Sequence, residues 1–484
     1  MFKNILLFLP FILLSSCIIF RPNQYLIQSD LSIANKYKEQ INSKDLSNYL
    51  SVLASDEFEG RETSYPGQKK AALYLQNKLI KWGVNPPIKS SSFFQEFEVE
   101  INDFSNVNLI VNKDTLDFIS DYYSFGNPYN TFQENLLTID AGYGIVNEEF
   151  DSYQNLNVKG KVVIIKDGLP MESEFKIEDG SWRRKVEKAT AKGAKAVIFK
   201  KENYNNSDFV LKQQLLYPRM KMHNKIKTKQ QIPVFYVDEV KFNKYTNHRI
   251  SFLTNVNEIK TAENVLGFIP GLTDEIIVIS AHYDHIGYDR GEICNGADDD
   301  GSGTSSLLSI AKAFQNAYDD GYKPKRGILL LMVSGEEKGL FGSKYYTDNP
   351  YFPLNKTVAN LNIDMIGRKD TIQPNTNYIY LIGSNKISNQ LHIINEQINY
   401  NFIGFNLDYR YNREDDPNKF YYRSDHYNFA KNNIPVIFYF GGLHEDYHKP
   451  TDEVDKIDFS KLERTTKYIF LTAWELAYRN KRIK

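Results

Sequence analysis

The sequence predicts an α/β protein: a sandwich on a mixed, largely parallel sheet, with a smaller α/β unit inserted into it. From residue 262 onward, short apolar runs alternate with helical spacing, giving strands at 327–333, 358–364, 377–383 and 435–440 and helices at 338–348, 387–400, 426–431 and 458–480. Between about 101 and 261 that rhythm gives way to short strands and turns. The length, 484 residues, exceeds what one ordinary core accommodates, so two domains are expected.

Composition narrows the function classes. Fifty-nine Lys and Arg stand against sixty Asp and Glu, a net charge of −1, which gives no support for a nucleic-acid partner. Cys17 and Cys294 are the only cysteines, so there is no disulfide framework.

In chain order, Met1 to Cys17 opens with Lys3, continues as an apolar run from Ile5 to Leu14 and ends in Ser15-Ser16-Cys17. The run is shorter than the roughly 20 residues of a spanning helix and reads as a signal-peptide core. Leu14-Ser15-Ser16-Cys17 resembles a bacterial lipobox. That implies cleavage before Cys17, a membrane anchor through its lipidated side chain, a tether over 18–30, and a place in the cell envelope facing the periplasm or the exterior. An uncleaved anchor or a plain secretory signal is the alternative. Residues 31–54 carry helical spacing, the polar stretch Ser55 to Thr63 contains Gly60-Arg61, and a helix from Pro66 to Trp82 is opened by proline and closed by Gly83. Phe93 to Glu100 alternates as a strand. Within the insert, strands are expected at 162–166, 196–200 and 232–236 and a helix at 185–192; His223 and His248 stand alone there and read as surface or packing residues. Asn264 to Pro270 and Glu275 to Ser280 then form two strands whose Gly271-Leu272-Thr273-Asp274 link reads as a hairpin-type turn.

The stretch 276–304 organises the rest. A β-branched run ends in His282-Tyr283-Asp284-His285, and a glycine-rich loop follows with Asp298, Asp299 and Asp300 in a row. Imidazole and carboxylate together are ligands suited to zinc, and a cation would relieve the repulsion among adjacent acids. The pattern recurs: strand 327–333 ends in Ser334-Gly335-Glu336-Glu337, strand 358–363 in Asp364, and strand 435–440 opens into a loop ending in Tyr447-His448. In open α/β sheets, ligands gather where strands end.

HYDH, GADDDGSG, SGEEKGLFGS, NIDMIG, RSDHYNF and YHKPTDE together resemble the di-zinc aminopeptidases of the M28 peptidase family, over about residues 262–481. The 101–261 segment resembles the protease-associated (PA) domain that such chains often carry, and 31–100 would complete the catalytic domain of 262–484. The resemblance implies a zinc-exopeptidase-type α/β/α sandwich, peptide substrates and two zinc ions per chain. It assigns His282 and Asp364 to one zinc, Glu337 and His448 to the other, and Asp299 as the bridge. It makes Glu336 the general base, Tyr447 a donor to the oxyanion, and Asp284 the carboxylate that orients His282. Arg423 would face substrate. A cis Asp299–Asp300 peptide is also expected. His285, His426 and His444 fall off the ligand positions and read as supporting or packing residues. Cys294 reads as incidental, and the 405–423 loop as a rim of the cleft. The implied activity is removal of N-terminal residues from peptides. Alternatives are a dipeptidase or glutamate-type carboxypeptidase, a glutaminyl cyclase, against which the Glu336-Glu337 and Tyr447-His448 pairs argue, and a catalytically silent binding protein.

Overall fold

The computed structural model describes residues 26–87, 90–124, 131–171, 174–223, 232–245, 248–254 and 257–484; Cys17 lies outside them. No helix among them is long and apolar enough to cross a membrane.

Among the described residues, the main sheet has nine strands, in the order Asn406–Asp408, Tyr378–Ile382, Val436–Phe440, Thr357–Asp364, Ile276–His282, Gly327–Val333, Asn257–Ile269, Phe94–Asn102 and Arg219–Met222. Its centre is parallel: Ile276–His282 pairs with both Gly327–Val333 and Thr357–Asp364, and the latter pairs with Val436–Phe440. Antiparallel pairs flank that centre, so the sheet is mixed about a parallel core, as the sequence predicts. The parallel strands end on one edge, which brings His282, the turn after Val333, Asp364 and the loop after Phe440 to the same side of the molecule.

Period-two alternation sends the central strands to two cores. Ile328, Leu330 and Met332 join a cluster with the helices Leu31–Lys38, Ser43–Leu53, Pro66–Lys81, Gly303–Asp319 and Phe459–Tyr478. Leu329, Leu331 and Val333 face the opposite cluster, with Tyr346 of helix Phe341–Asp348 and Phe429 of helix His426–Ala430. Helices therefore cover both faces, as fully apolar parallel strands require.

The link at 271–274 is not a hairpin. Gly327–Val333 lies between Asn257–Ile269 and Ile276–His282 and pairs with both. The turn instead bonds the chain leading into that inserted strand: Leu272 N donates to Pro324 O and Thr273 N to Lys325 O. A Cβ on Gly271 would stand 2.3 Å from Gly327 N, so the close crossing requires glycine there.

A second sheet, of eight strands among the described residues, runs Asp114–Thr115, Val107–Val111, Arg249–Thr254, Thr131–Asp140, Val162–Lys166, Ala196–Lys201, Val234–Asp238 and Tyr122–Ser124. It has its own core, centred on Val163, Ile165, Val197, Phe199, Phe235 and Val237. The long strands Phe94–Asn102 and Asn257–Ile269, paired along nine positions, lead into and out of this unit. Arg219–Met222 returns from within it to the edge of the main sheet.

Candidate active site

The strand ends place their ligands around one cleft. His282 closes its strand with Nε2 3.3 Å from Asp299 Oδ1 and 3.6 Å from Asp364 Oδ1. On the other side, His448 Nε2 lies 3.2 Å from Asp299 Oδ2 and 3.1 Å from Glu337 Oε2. Asp299 thus turns one oxygen to each imidazole. The five residues expected to hold metal converge, and they do so from different elements.

The run of acids divides its work. Asp298 Oδ1 accepts from Gly367 N at 2.6 Å, and Asp300 Oδ1 from Gly303 N at 2.8 Å and Met365 N at 3.0 Å. These outer carboxylates are consumed by main-chain amides, two of them just beyond Asp364. The middle carboxylate is the one that faces the imidazoles of His282 and His448. The expected cis Asp299–Asp300 peptide is present.

The donor set fits a cation. Two groups, His282–Asp299–Asp364 and His285–Asp299–Glu337, each bring their ligand atoms within 4.8 Å of one another. Asp299 Oδ2 and His448 Nε2 face each other without the alignment of a hydrogen bond and have no other hydrogen-bond partner. Burial works against charge on His448, yet the carboxylates of Asp299 and Glu337 push it up to about 10. In the reverse sense, burial would raise Asp299, but the facing imidazoles of His282 and His448 pull it well below the ordinary range. Such a cluster of carboxylates and imidazoles, with no thiolate, suits catalytic rather than structural zinc.

Residues 264–473 match the family model described as Peptidase family M28, and residues 129–244 match the PA domain model. Residues 264–473 of this chain are thus similar to peptidase family M28. It is 26% identical over 242 residues to Aminopeptidase YwaD of Bacillus subtilis, covering 46% of this chain and 45% of that protein. It is 30% identical over 224 residues to a "Probable leucine aminopeptidase" of Arthroderma otae, covering 45% of this chain and 58% of that one. The chain thus spans about half the length of these curated relatives. An aminopeptidase from Aneurinibacillus sp. strain AM-1 has a similar solved fold, with a TM-score of 0.51 at 18% identity, over 93% of this chain and 97% of that one.

Around this cluster of carboxylates and imidazoles the remaining residues take distinct places. Glu336 lines the cleft with His282, Asp299 and Asp364. Burial, with the neighbouring Glu337 and Asp364 carboxylates, pushes its pKa well above the usual range, against the opposing pull of His282. Tyr447 stacks on His448 with ring centroids 3.8 Å apart, and burial raises its phenol so that it stays protonated. Arg423 lines the same cleft and lies over the Phe420 ring, 4.8 Å from its centroid.

Asp284 departs from the expected arrangement. His282 Nδ1 lies 3.1 Å from the main-chain oxygen of Asp284, whereas the Asp284 carboxylate is 3.9 Å away. That carboxylate instead accepts from Thr63 Oγ1 at 2.8 Å and from Glu336 N at 3.3 Å. The carbonyl fixes the histidine tautomer, leaving Nε2 to face the cluster; the carboxylate positions the base's backbone.

His285 sits closer to the site than a packing role requires: its Nδ1 lies 2.8 Å from Glu337 Oε1, on the oxygen turned away from His448. His444 lies 3.3 Å from Asp298 Oδ2. His426 stacks on Phe438 at 4.7 Å, and burial pushes it down to about 3, so it packs as a neutral ring. In the insert, His248 stacks on Phe242 and His223 lies 3.6 Å from Glu100. Cys294 is buried.

Arg61 supports the site from below. It is 1% exposed, and its guanidinium donates to the carbonyls of Tyr283 (2.7 Å), Leu53 (2.6 Å), Asn295 (2.6 Å) and Gly296 (2.9 Å). It therefore ties a helix end to the two loops that carry His282 and Asp299. Arg61→Met is expected to leave these carbonyls unpaired and to lower stability by about 3 kcal/mol or more. A urea midpoint unchanged from wild type would contradict this role.

Proposed function

We propose that this chain is a zinc-dependent aminopeptidase that removes N-terminal residues from peptides, using two zinc ions per chain. The observation that carries the reading is Asp299, whose two oxygens face the imidazoles of His282 and His448 at 3.3 and 3.2 Å. His282 and Asp364 would hold one ion, Glu337 and His448 the other, and Asp299 both. Zinc bound there supplies Lewis acidity toward the scissile carbonyl and makes water a nucleophile near neutral pH.

The protein's own groups do the rest. Glu336 accepts the proton of the attacking water and delivers it to the departing amine nitrogen. It lines the cleft beside His282, Asp299 and Asp364, where it can reach both the water and the departing nitrogen. Tyr447 donates its phenol proton to the developing oxyanion. Tyr447→Phe keeps the stacking on His448 and removes the donor. It is expected to lower kcat by about a hundredfold with little change in KM; an equal rise in KM with kcat intact would place the hydroxyl in ground-state binding instead.

The cleft is walled by Met365, Phe420, Phe438, Phe440 and Leu443 beside the cluster. These apolar walls beside the cluster support an apolar terminal residue as the one bound there. Arg423 on its rim would contact substrate. The names of the relatives, both aminopeptidases, support the amine end. The test is a defined peptide offered with its N-terminus free or acetylated, with products read by mass spectrometry. Loss of the first residue from the free peptide alone is expected. Release of the C-terminal residue from both forms would favour a carboxypeptidase.

Leu14-Ser15-Ser16-Cys17 supports a second part of the proposal, that the chain works in the cell envelope, anchored through a lipid on Cys17.

A further inference from the structure

We infer that Asp452 is a positioning residue that sets the bridging carboxylate against the loop carrying His448. The inference rests on the two-zinc reading of the site. Asp452 stands four residues beyond His448 and is 0% exposed. Its Oδ2 accepts from the main-chain amides of both Asp298, at 3.0 Å, and Asp299, at 3.1 Å. Its own carbonyl accepts from Ala297 N at 3.1 Å, and Asn295 Nδ2 donates to the neighbouring Glu453 at 3.0 Å. Four hydrogen bonds thus join the His448 loop to the segment 295–299, three of them to Asp452 itself.

The geometry gives this clamp a specific consequence. Asp299 must present one oxygen on each side, to His282 on a sheet strand and to His448 on a loop. The strand is fixed by the sheet, but the loop is not. Asp452 supplies the missing registration, because it belongs to the loop and grips the backbone of the bridging residue directly. Its other oxygen, Oδ1, lies 4.0 Å from His444 Nε2 and 3.9 Å from Arg368 Nη1, outside good hydrogen-bond reach. The carboxylate's contacts are thus spent on the two amides.

Groups that orient a metal ligand typically change metal affinity about 10–100-fold when lost. Zinc affinity is measured by chelator competition on the full chain, alongside the visible spectrum of the cobalt-substituted protein and turnover. Wild type is expected to bind two zinc ions. Asp452→Ala is expected to weaken binding at least tenfold and to shift the cobalt spectrum. Asp452→Asn keeps an oxygen able to accept from both amides and is expected to restore most of the affinity. Asp446→Asn serves as the control: Asp446 lies in the same loop and binds Arg368, Lys456 and Thr451 but touches neither amide. It is expected to lower thermal stability and leave zinc affinity unchanged.

The inference is overturned if folded Asp452→Ala binds zinc as tightly as wild type, if Asp452→Asn fails as badly as Asp452→Ala, or if Asp446→Asn weakens zinc equally. Should Asp452→Ala not fold, Asp452→Glu, which keeps the charge but displaces the oxygens, takes its place with the same expected weakening. A wild type that binds no zinc would instead overturn the proposed function itself.

Discussion

Glu336→Gln is expected to lower kcat by about 10³ to 10⁴, a loss of roughly 4–5.5 kcal/mol of transition-state stabilisation, while the protein keeps its zinc. The amide matches the carboxylate in shape but cannot take a proton from water. The main-chain amide of residue 336 still reaches Asp284 Oδ1, at 3.3 Å in the wild type, so the turn that presents Glu337 should hold. Steady-state turnover of a leucyl anilide, with zinc content measured on the same sample, separates the two properties. A fall of only severalfold would mean that another group moves the proton. A parallel loss of zinc would mean that Glu336 holds metal.

Asp299→Asn is expected to reduce bound zinc to one ion or fewer per chain and to abolish measurable turnover. The substitution leaves one neutral oxygen where the wild type turns two to the imidazoles, at 3.3 and 3.2 Å. It also removes a carboxylate that the surrounding histidines hold ionised despite burial. The fold should survive, because the amide of residue 299 keeps its bond to Asp452. Elemental analysis and a thermal melt check both halves. Full zinc occupancy in this variant would remove Asp299 from the bridging position.

The parts of this molecule that could be read from sequence are those whose chemistry is local. Central parallel strands are buried on both faces, so Ile276–His282 and Gly327–Val333 are continuous apolar runs. Their polar ends stand out for the same reason, which is how His282, Glu336, Glu337 and Asp364 could be picked out. Non-local pairing could not be read. Two apolar runs joined by Gly271-Leu272-Thr273-Asp274 carry the signature of a hairpin, and nothing nearby announces that a strand some fifty residues later slides between them. Arg219–Met222, an alternation of basic and apolar residues only four long, is too short to announce its return to the main sheet.

Orientation was equally hidden. Spacing placed Asp284 beside His282, but which atom meets the imidazole depends on a backbone turn, and there the carbonyl is closer than the carboxylate. Asp452 was visible within YHKPTDE, yet its grip on the Asp298 and Asp299 amides joins positions more than 150 residues apart. The signal that marks it in the structure, a fully buried acid that accepts from two main-chain amides, requires the fold to be known.

The most direct test of a two-zinc peptidase is to strip the full chain with a chelator and titrate zinc back while following both binding and hydrolysis of aminoacyl-p-nitroanilides. The expected result is complete loss of activity on stripping and recovery that saturates at two equivalents of zinc per chain. Activity that survives the chelator, or a stripped protein that takes up no zinc, would contradict the account.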